Sequence, residues 1–199
     1  MKRIELSSKI SAPNFIGAWE DDNPEPYEGI INYFDTNKKL QTSGTVSGEV
    51  KREQKLSIDV TVDPDSLCLE THKPMASYIE LLSRLYGHYV ETWPFLKGFG
   101  ELEIGSFNIQ MYDEGGHFSR LHCERGGEAT SSRVFAWMSY LNNVESGGNT
   151  VFPHYGINIP PRRGKTLIWP AEWTHAHYGA KVDKGVKYII TGWMDFPSS

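Results

Sequence analysis

The period of the hydrophobic pattern changes near residue 100, and that change limits the folds open to this chain. Before it, apolar residues recur at helical spacing. Tyr27, Ile30, Ile31 and Phe34 share one helical face after the start signal Asn23-Pro24-Glu25. A longer helix is predicted from about Pro74 to Trp93. There Met75, Tyr78, Ile79, Leu82, Leu85, Tyr86, Tyr89, Val90 and Trp93 keep the spacing, and Pro94 ends it. Between the helices, Leu56, Ile58, Val60 and Val62 alternate with Ser57, Asp59 and Thr61, a strand pattern. The polar stretch from Gln41 to Gly48 reads as a mobile loop. After residue 100 the period is two. Strands are predicted over 101–112, 118–124, 133–141, 150–152, 156–159, 165–169 and 186–194. Turn signals such as Glu114-Gly115-Gly116 and Pro160-Pro161 separate them. Helices followed by about seven or eight short strands argue for an α+β, mainly β domain. Its strand part would be a sandwich or jelly roll, with helices packed on one sheet.

At 199 residues the chain has the length of one domain, enough to bury a core without disulfide or metal staples. A net charge of −5 argues against a nucleic-acid binder with a broad basic surface. Cys68 and Cys123 are too few for a disulfide framework or a four-cysteine zinc site. No apolar run approaches the ~20 residues of a membrane span, and the N-terminal stretch through Phe15 lacks the apolar centre of a leader. The expectation is a cytoplasmic protein with neither nucleic-acid nor membrane partners.

Three groups of residues carry possible chemistry. On a strand, His122 and Glu124 project to one face, with Cys123 opposite. An imidazole beside a carboxylate can hold two positions of a divalent metal. Trp173-Thr174-His175-Ala176-His177 offers a further imidazole. Two histidines and one carboxylate form the facial triad of non-haem iron oxygenases, although zinc accepts the same donors. Lys187 shares a strand face with Ile189, Thr191 and Trp193, and both faces of that strand read as buried. A lysine there needs an anionic partner. That partner is either a structural carboxylate or a ligand, and Arg133 poses the same question. Two other signals mislead. Gly164-Lys165-Thr166 resembles the end of a phosphate loop but lacks its earlier glycine, where Ile159 stands. The run from Pro170 to His175 partly resembles a cupin metal motif, with Glu172 in place of a glycine.

Taken in order, these pieces resemble the 2-oxoglutarate and Fe(II)-dependent oxygenases, in the prolyl 4-hydroxylase-like branch, over about residues 100–196. The markers are Tyr112 with Gly115 and Gly116, His122-x-Glu124, then Arg133 before Tyr140-Leu141-Asn142. They continue through Gly147-Gly148-Asn149-Thr150-Val151-Phe152-Pro153, Pro161 and Gly164 to His177, Gly179, Val182, Gly185, Lys187 and Trp193. The chain departs from the pattern at Glu124, where Asp is usual. It departs again in a Tyr112–His122 spacing one residue longer than usual, and in Ala180-Lys181 before Val182.

The resemblance implies a single domain over 1–199. A double-stranded β-helix core over 100–196 would be buttressed by the helices of 1–99. It implies Fe(2+) on His122, Glu124 and His177, with His177 rather than His175 as the distal ligand. It implies 2-oxoglutarate on Lys187, with Tyr112 and Thr150 as hydrogen-bonding neighbours, and O2 as cosubstrate. L-ascorbate is a further candidate cofactor. Arg133 and Trp193 match positions that face a proline-containing peptide or protein substrate. The competing readings are an oxygenase of a free amino acid or small molecule, and a non-catalytic metal-binding module of cupin type. No protein general base is expected beyond the metal site.

Overall fold

The computed structural model describes residues 1–6 and 13–197. Residues 7–12, part of the N-terminal stretch read above for a leader, lie outside the described residues, as do 198 and 199. Two helices occur where the periodicity predicts them. Helix α1 is Glu25–Thr36 and buries Tyr27, Ile30, Tyr33 and Phe34. The Asn23 side chain accepts a hydrogen bond from the Glu25 amide at its start. Helix α2 is Lys73–Thr92 and buries Met75, Tyr78, Leu81, Leu82, Leu85 and Tyr89. Among the described residues no helix is long and apolar enough to cross a membrane.

Among the described residues the strands form two facing sheets, antiparallel throughout, and a separate two-stranded ladder of Ser146–Gly147 with Val182–Lys184. The larger runs in the order Lys2–Arg3, Gly17–Glu20, Lys165–Pro170, Arg133–Tyr140, Lys187–Asp195, Phe107–Tyr112, Ile58–Val62, Thr42–Ser43, with Glu103–Ile104 on a side of Lys187–Asp195. The smaller runs Ile157–Ile159, Thr150–Phe152, His177–Gly179, His117–His122, Lys55–Leu56. From Phe107 to Asp195 the chain passes repeatedly from one sheet to the other, with Thr150–Phe152 and Ile157–Ile159 pairing as a hairpin within the small sheet, as in a jelly roll. The segment read as a loop at 41–48 instead carries the strand Thr42–Ser43 and a turn closed by the Val46–Glu49 bridge. Its small side chains had hidden a sheet edge.

Period two decides which core each side chain enters. On Arg133–Tyr140, Phe135 and Trp137 join the core under α1 and α2, while Ala136, Met138 and Tyr140 join the core between the sheets. On Lys187–Asp195, Ile190 and Met194 face the helices and Ile189 faces inward. The large sheet is therefore covered on both faces, which explains its near-continuous apolar strands. One polar tie crosses the helix-side core. The Tyr78 and Ser139 hydroxyls are 2.8 Å apart, and Ser139 is also bonded to Thr166.

Candidate metal and cosubstrate site

The inner faces of the two sheets enclose a cavity of about 800 Å³, within the range of small-molecule sites. His122 and His177 enter it from adjacent strands of the small sheet, directly opposite one another in the register. The shared-face argument for His122 and Glu124 assumed that the strand continues to Glu124. The strand ends at His122, and the Glu124 amide instead donates to the Ala171 carbonyl. The three side chains nevertheless converge, with one donor atom from each lying within 4.8 Å of the others.

Hydrogen bonding fixes how the imidazoles present themselves. Nδ1 of His122 lies 2.8 Å from the Arg120 carbonyl, and Nδ1 of His177 lies 3.0 Å from the His175 carbonyl. A carbonyl only accepts, so both Nδ1 atoms carry hydrogen, and in its neutral form each ring has its lone pair on Nε2. Those Nε2 atoms stand 3.6 Å and 3.4 Å from Glu124 Oε1. Three acceptors facing one point call for a cation between them. Burial opposes ionisation of Glu124, but hydrogen bonding from His122 and His177 and their positive charge when protonated outweigh it and hold the carboxyl well below the usual carboxylate range, the part a bound cation would otherwise play. Burial lowers the His177 pKa, favouring the neutral, ligating form. Phe118 stacks on His122 at 4.0 Å, while Phe152 and Trp169 pack on His177, fixing the ring planes. His175 is turned away. Its Nε2 bonds the Asn14 carbonyl, so the cupin-like run supplies no donor to this cluster.

Lys187 enters the same cavity from the large sheet. It is 3% exposed, and among the described residues its Nζ has a single hydrogen-bond partner, the Gly148 carbonyl at 3.1 Å. Among the described residues no carboxylate pairs with it, and burial lowers its pKa to about 7. That disposes of the structural salt bridge as an explanation and leaves an ammonium suited to an anionic ligand. Gly148 makes this contact possible. Its φ of +71° suits glycine, and a Cβ there would lie 3.2 Å from Lys187 Cδ. Tyr112 pairs with Lys187 across the strands and sets its ring 4.2 Å from Nζ. Its hydroxyl donates to Gln110 Oε1 at 2.7 Å. Thr150 also lines the cavity and accepts from the Tyr140 hydroxyl at 2.6 Å.

Arg133 and Trp193 line the cavity as well. The guanidinium lies 3.6 Å from the Trp193 ring centroid, and the indole N–H donates to Glu124 Oε2 at 2.7 Å. Sequence reasoning missed the polar wall beyond Tyr112. Asp59 accepts from Lys55 at 2.6 Å, Ser57 at 2.7 Å and Gln110 at 3.2 Å, and all four are buried. The signal was present, since Ser57, Asp59 and Thr61 form the polar half of a period-two pattern. Such a half reads equally as a face toward water or toward a polar cavity.

The model of the 2OG-Fe(II) oxygenase superfamily matches residues 107–195. The chain is 28% identical over 115 residues to probable prolyl 4-hydroxylase 9 of Arabidopsis thaliana, across 45% of this chain and 40% of that one. It is 26% identical over 95 residues to the human prolyl 4-hydroxylase subunit alpha-1, across 44% of this chain and 16% of that one. The chain thus covers less than half the length of these curated relatives. Among solved structures, a Pseudomonas putida prolyl-4-hydroxylase superposes with a TM-score of 0.70 at 16% identity, over 92% of this chain and 94% of that one. A Trichoplax adhaerens prolyl hydroxylase, solved with a hypoxia inducible factor peptide fragment, gives 0.67 at 14% identity, over 92% and 84%. A Paramecium bursaria Chlorella virus-1 collagen prolyl hydroxylase, solved with 2OG, gives 0.63 at 16% identity, over 90% and 95%. These likenesses establish the double-stranded β-helix fold. Residues 107–195, a little under half of the chain, thus match the 2OG-Fe(II) oxygenase superfamily model, and the chain is similar in sequence and in fold to prolyl 4-hydroxylases.

Proposed function

We propose that the protein is a 2-oxoglutarate- and Fe(II)-dependent dioxygenase that hydroxylates a prolyl residue within a peptide or protein, releasing succinate and CO2. One observation carries the reading. A cavity that presents two imidazoles and a carboxylate also holds a buried ammonium with no carboxylate partner among the described residues. In this reading His122, Glu124 and His177 hold the metal, and Lys187 neutralises the far carboxylate of 2-oxoglutarate. Tyr112 and Thr150 flank that end of the cosubstrate.

Bound Fe(II), 2-oxoglutarate and O2 together supply the oxidant for a substrate C–H bond. The chain's residues bind, orient and exclude water. The carbonyls of Arg120 and His175 keep Nε2 of both imidazoles free of hydrogen. Ile189, Met138 and Trp169 line the cavity with apolar surface. Arg133 and Trp193 would meet the substrate, the guanidinium through a peptide carbonyl and the indole through the flat face of a pyrrolidine ring. The names of the curated relatives, and the peptide bound to the Trichoplax enzyme, support a prolyl peptide over a free amino acid. L-ascorbate belongs to the proposal as an accessory reductant. A cytoplasmic site of action belongs to it too, supported by two free cysteines.

The test is incubation with Fe(II), 2-oxoglutarate and a proline-containing peptide library, reading succinate and a +16 Da product on proline. Succinate formation stimulated only by free amino acids would overturn the substrate. No succinate under any condition would overturn the activity.

A further inference from the structure

Glu124 stands where the family pattern has the shorter Asp, so the metal-side carboxylate sits on one extra rotatable bond. Something must hold it. Among the described residues, the side-chain hydrogen bonds of both Trp193 and Arg133 end on residue 124. The Trp193 indole N–H donates to Oε2 at 2.7 Å, a charge-assisted bond. Arg133 Nη1 donates to the Glu124 backbone carbonyl at 3.1 Å and lies 3.8 Å from Oε2. The guanidinium also stacks on the indole at 3.6 Å, fixing the ring that makes the first bond. The two carboxylate oxygens therefore have different tasks. Oε2 is engaged by the indole, while Oε1 faces both imidazole Nε2 atoms.

We propose that Trp193 and Arg133 are positioning residues for the metal-side carboxylate, the indole N–H seating Oε2 so that Oε1 is offered to the ion, and that this clamp is what accommodates Glu at position 124. The proposal rests on the reading of His122, Glu124 and His177 as metal ligands. It adds to the substrate-facing role of the same two side chains, because a substrate that moved the indole or the guanidinium would also move a metal ligand.

The experiment is a double-mutant cycle on the full chain, with Mn(II) affinity measured calorimetrically and no turnover involved. Partners that orient metal ligands typically contribute about 10- to 100-fold in affinity. Trp193→Phe keeps the stacking surface and removes the N–H, and is expected to weaken Mn(II) binding by about tenfold. In a Glu124→Asp background the shortened carboxylate no longer reaches the indole, and the same change is expected to cost less than about twofold. Arg133→Met, which removes the stack without touching the indole, should weaken Mn(II) binding in the same direction by a smaller factor. Equal affinities for wild type and Trp193→Phe, or the same loss in both backgrounds, would overturn the clamp while leaving the ligand assignment intact. Failure of the assignment looks different, with Glu124→Ala binding Mn(II) as tightly as wild type, and it would take the clamp with it.

Discussion

A buried ammonium without a carboxylate partner among the described residues makes Lys187 a liability to the ligand-free protein. Its pKa falls from the ordinary 10.5 to about 7, a gap equivalent to ~5 kcal/mol. The unfolded chain keeps that proton up to about pH 10.5 and the folded chain only to about pH 7. Stability therefore rises with pH across that window, and the full penalty is present below it. Lys187→Met should raise the urea midpoint of the ligand-free protein at pH 6.5 and abolish 2-oxoglutarate binding. A variant no more stable than wild type would show that the ammonium is satisfied within the fold. Binding has its own pH dependence. A carboxylate ligand prefers the ammonium, so 2-oxoglutarate affinity of the Mn(II)-loaded chain should be flat below about pH 7 and fall up to tenfold per pH unit above it. An affinity that rose with pH would contradict the assignment. At this scale the sequence was most legible where chemistry depends on rare residue types in fixed order, as with His122, Glu124, His177 and Lys187. Asp59 and Gln110 were not legible, because only the folded sheet shows that their face is enclosed. Nor did spacing reveal that the Trp193 N–H meets Glu124, a contact between residues 69 apart.

At the scale of elements, the helices act on the site only through the sheet they cover. Leu82 of α2 is fully buried in the helix-side core, on the opposite face of the sheet from the cavity. Leu82→Ala should cost about 2–5 kcal/mol of stability. It should leave Mn(II) affinity unchanged, since distant sites with no shared partner behave additively. A large loss of metal affinity with intact fold would show that α2 sets the site's geometry directly. Tyr78→Phe probes the fully buried polar tie across that core, to Ser139 and through it to Thr166, and is expected to cost about 1–3 kcal/mol. The helices and long strands were legible because their periods run over many residues. The segment 41–48 was misread because a two-residue edge strand has too little period to register. The end of the strand at His122 was hidden for a related reason. The backbone leaves the ladder there to reach Ala171, and a partner so distant in sequence has no local signal.

At the scale of the whole molecule, the family match begins at residue 107, yet the sheet that carries Lys187 does not. Gly17–Glu20 pairs with Lys165–Pro170 on one side, and Ile58–Val62 pairs with Phe107–Tyr112 on the other. Both come from the first 99 residues, as do α1 and α2, which cover Phe135, Trp137, Ile190 and Met194. A fragment of residues 100–197 would therefore expose the outer face of its large sheet and leave both edges of that sheet open, conditions that favour aggregation. It would also lose Lys55–Leu56 from the small sheet beside His117–His122, and with it the Lys55–Asp59 pair that borders the cavity. These pairings lead to the expectation that the two halves unfold as one cooperative unit rather than as a core with a detachable support. The fragment should show no cooperative urea transition and no Mn(II) binding, whereas the full chain should unfold in one transition with coincident fluorescence and circular-dichroism midpoints. A fragment that folds cooperatively and binds Mn(II) would instead mean that the first 99 residues stabilise a core already complete in itself.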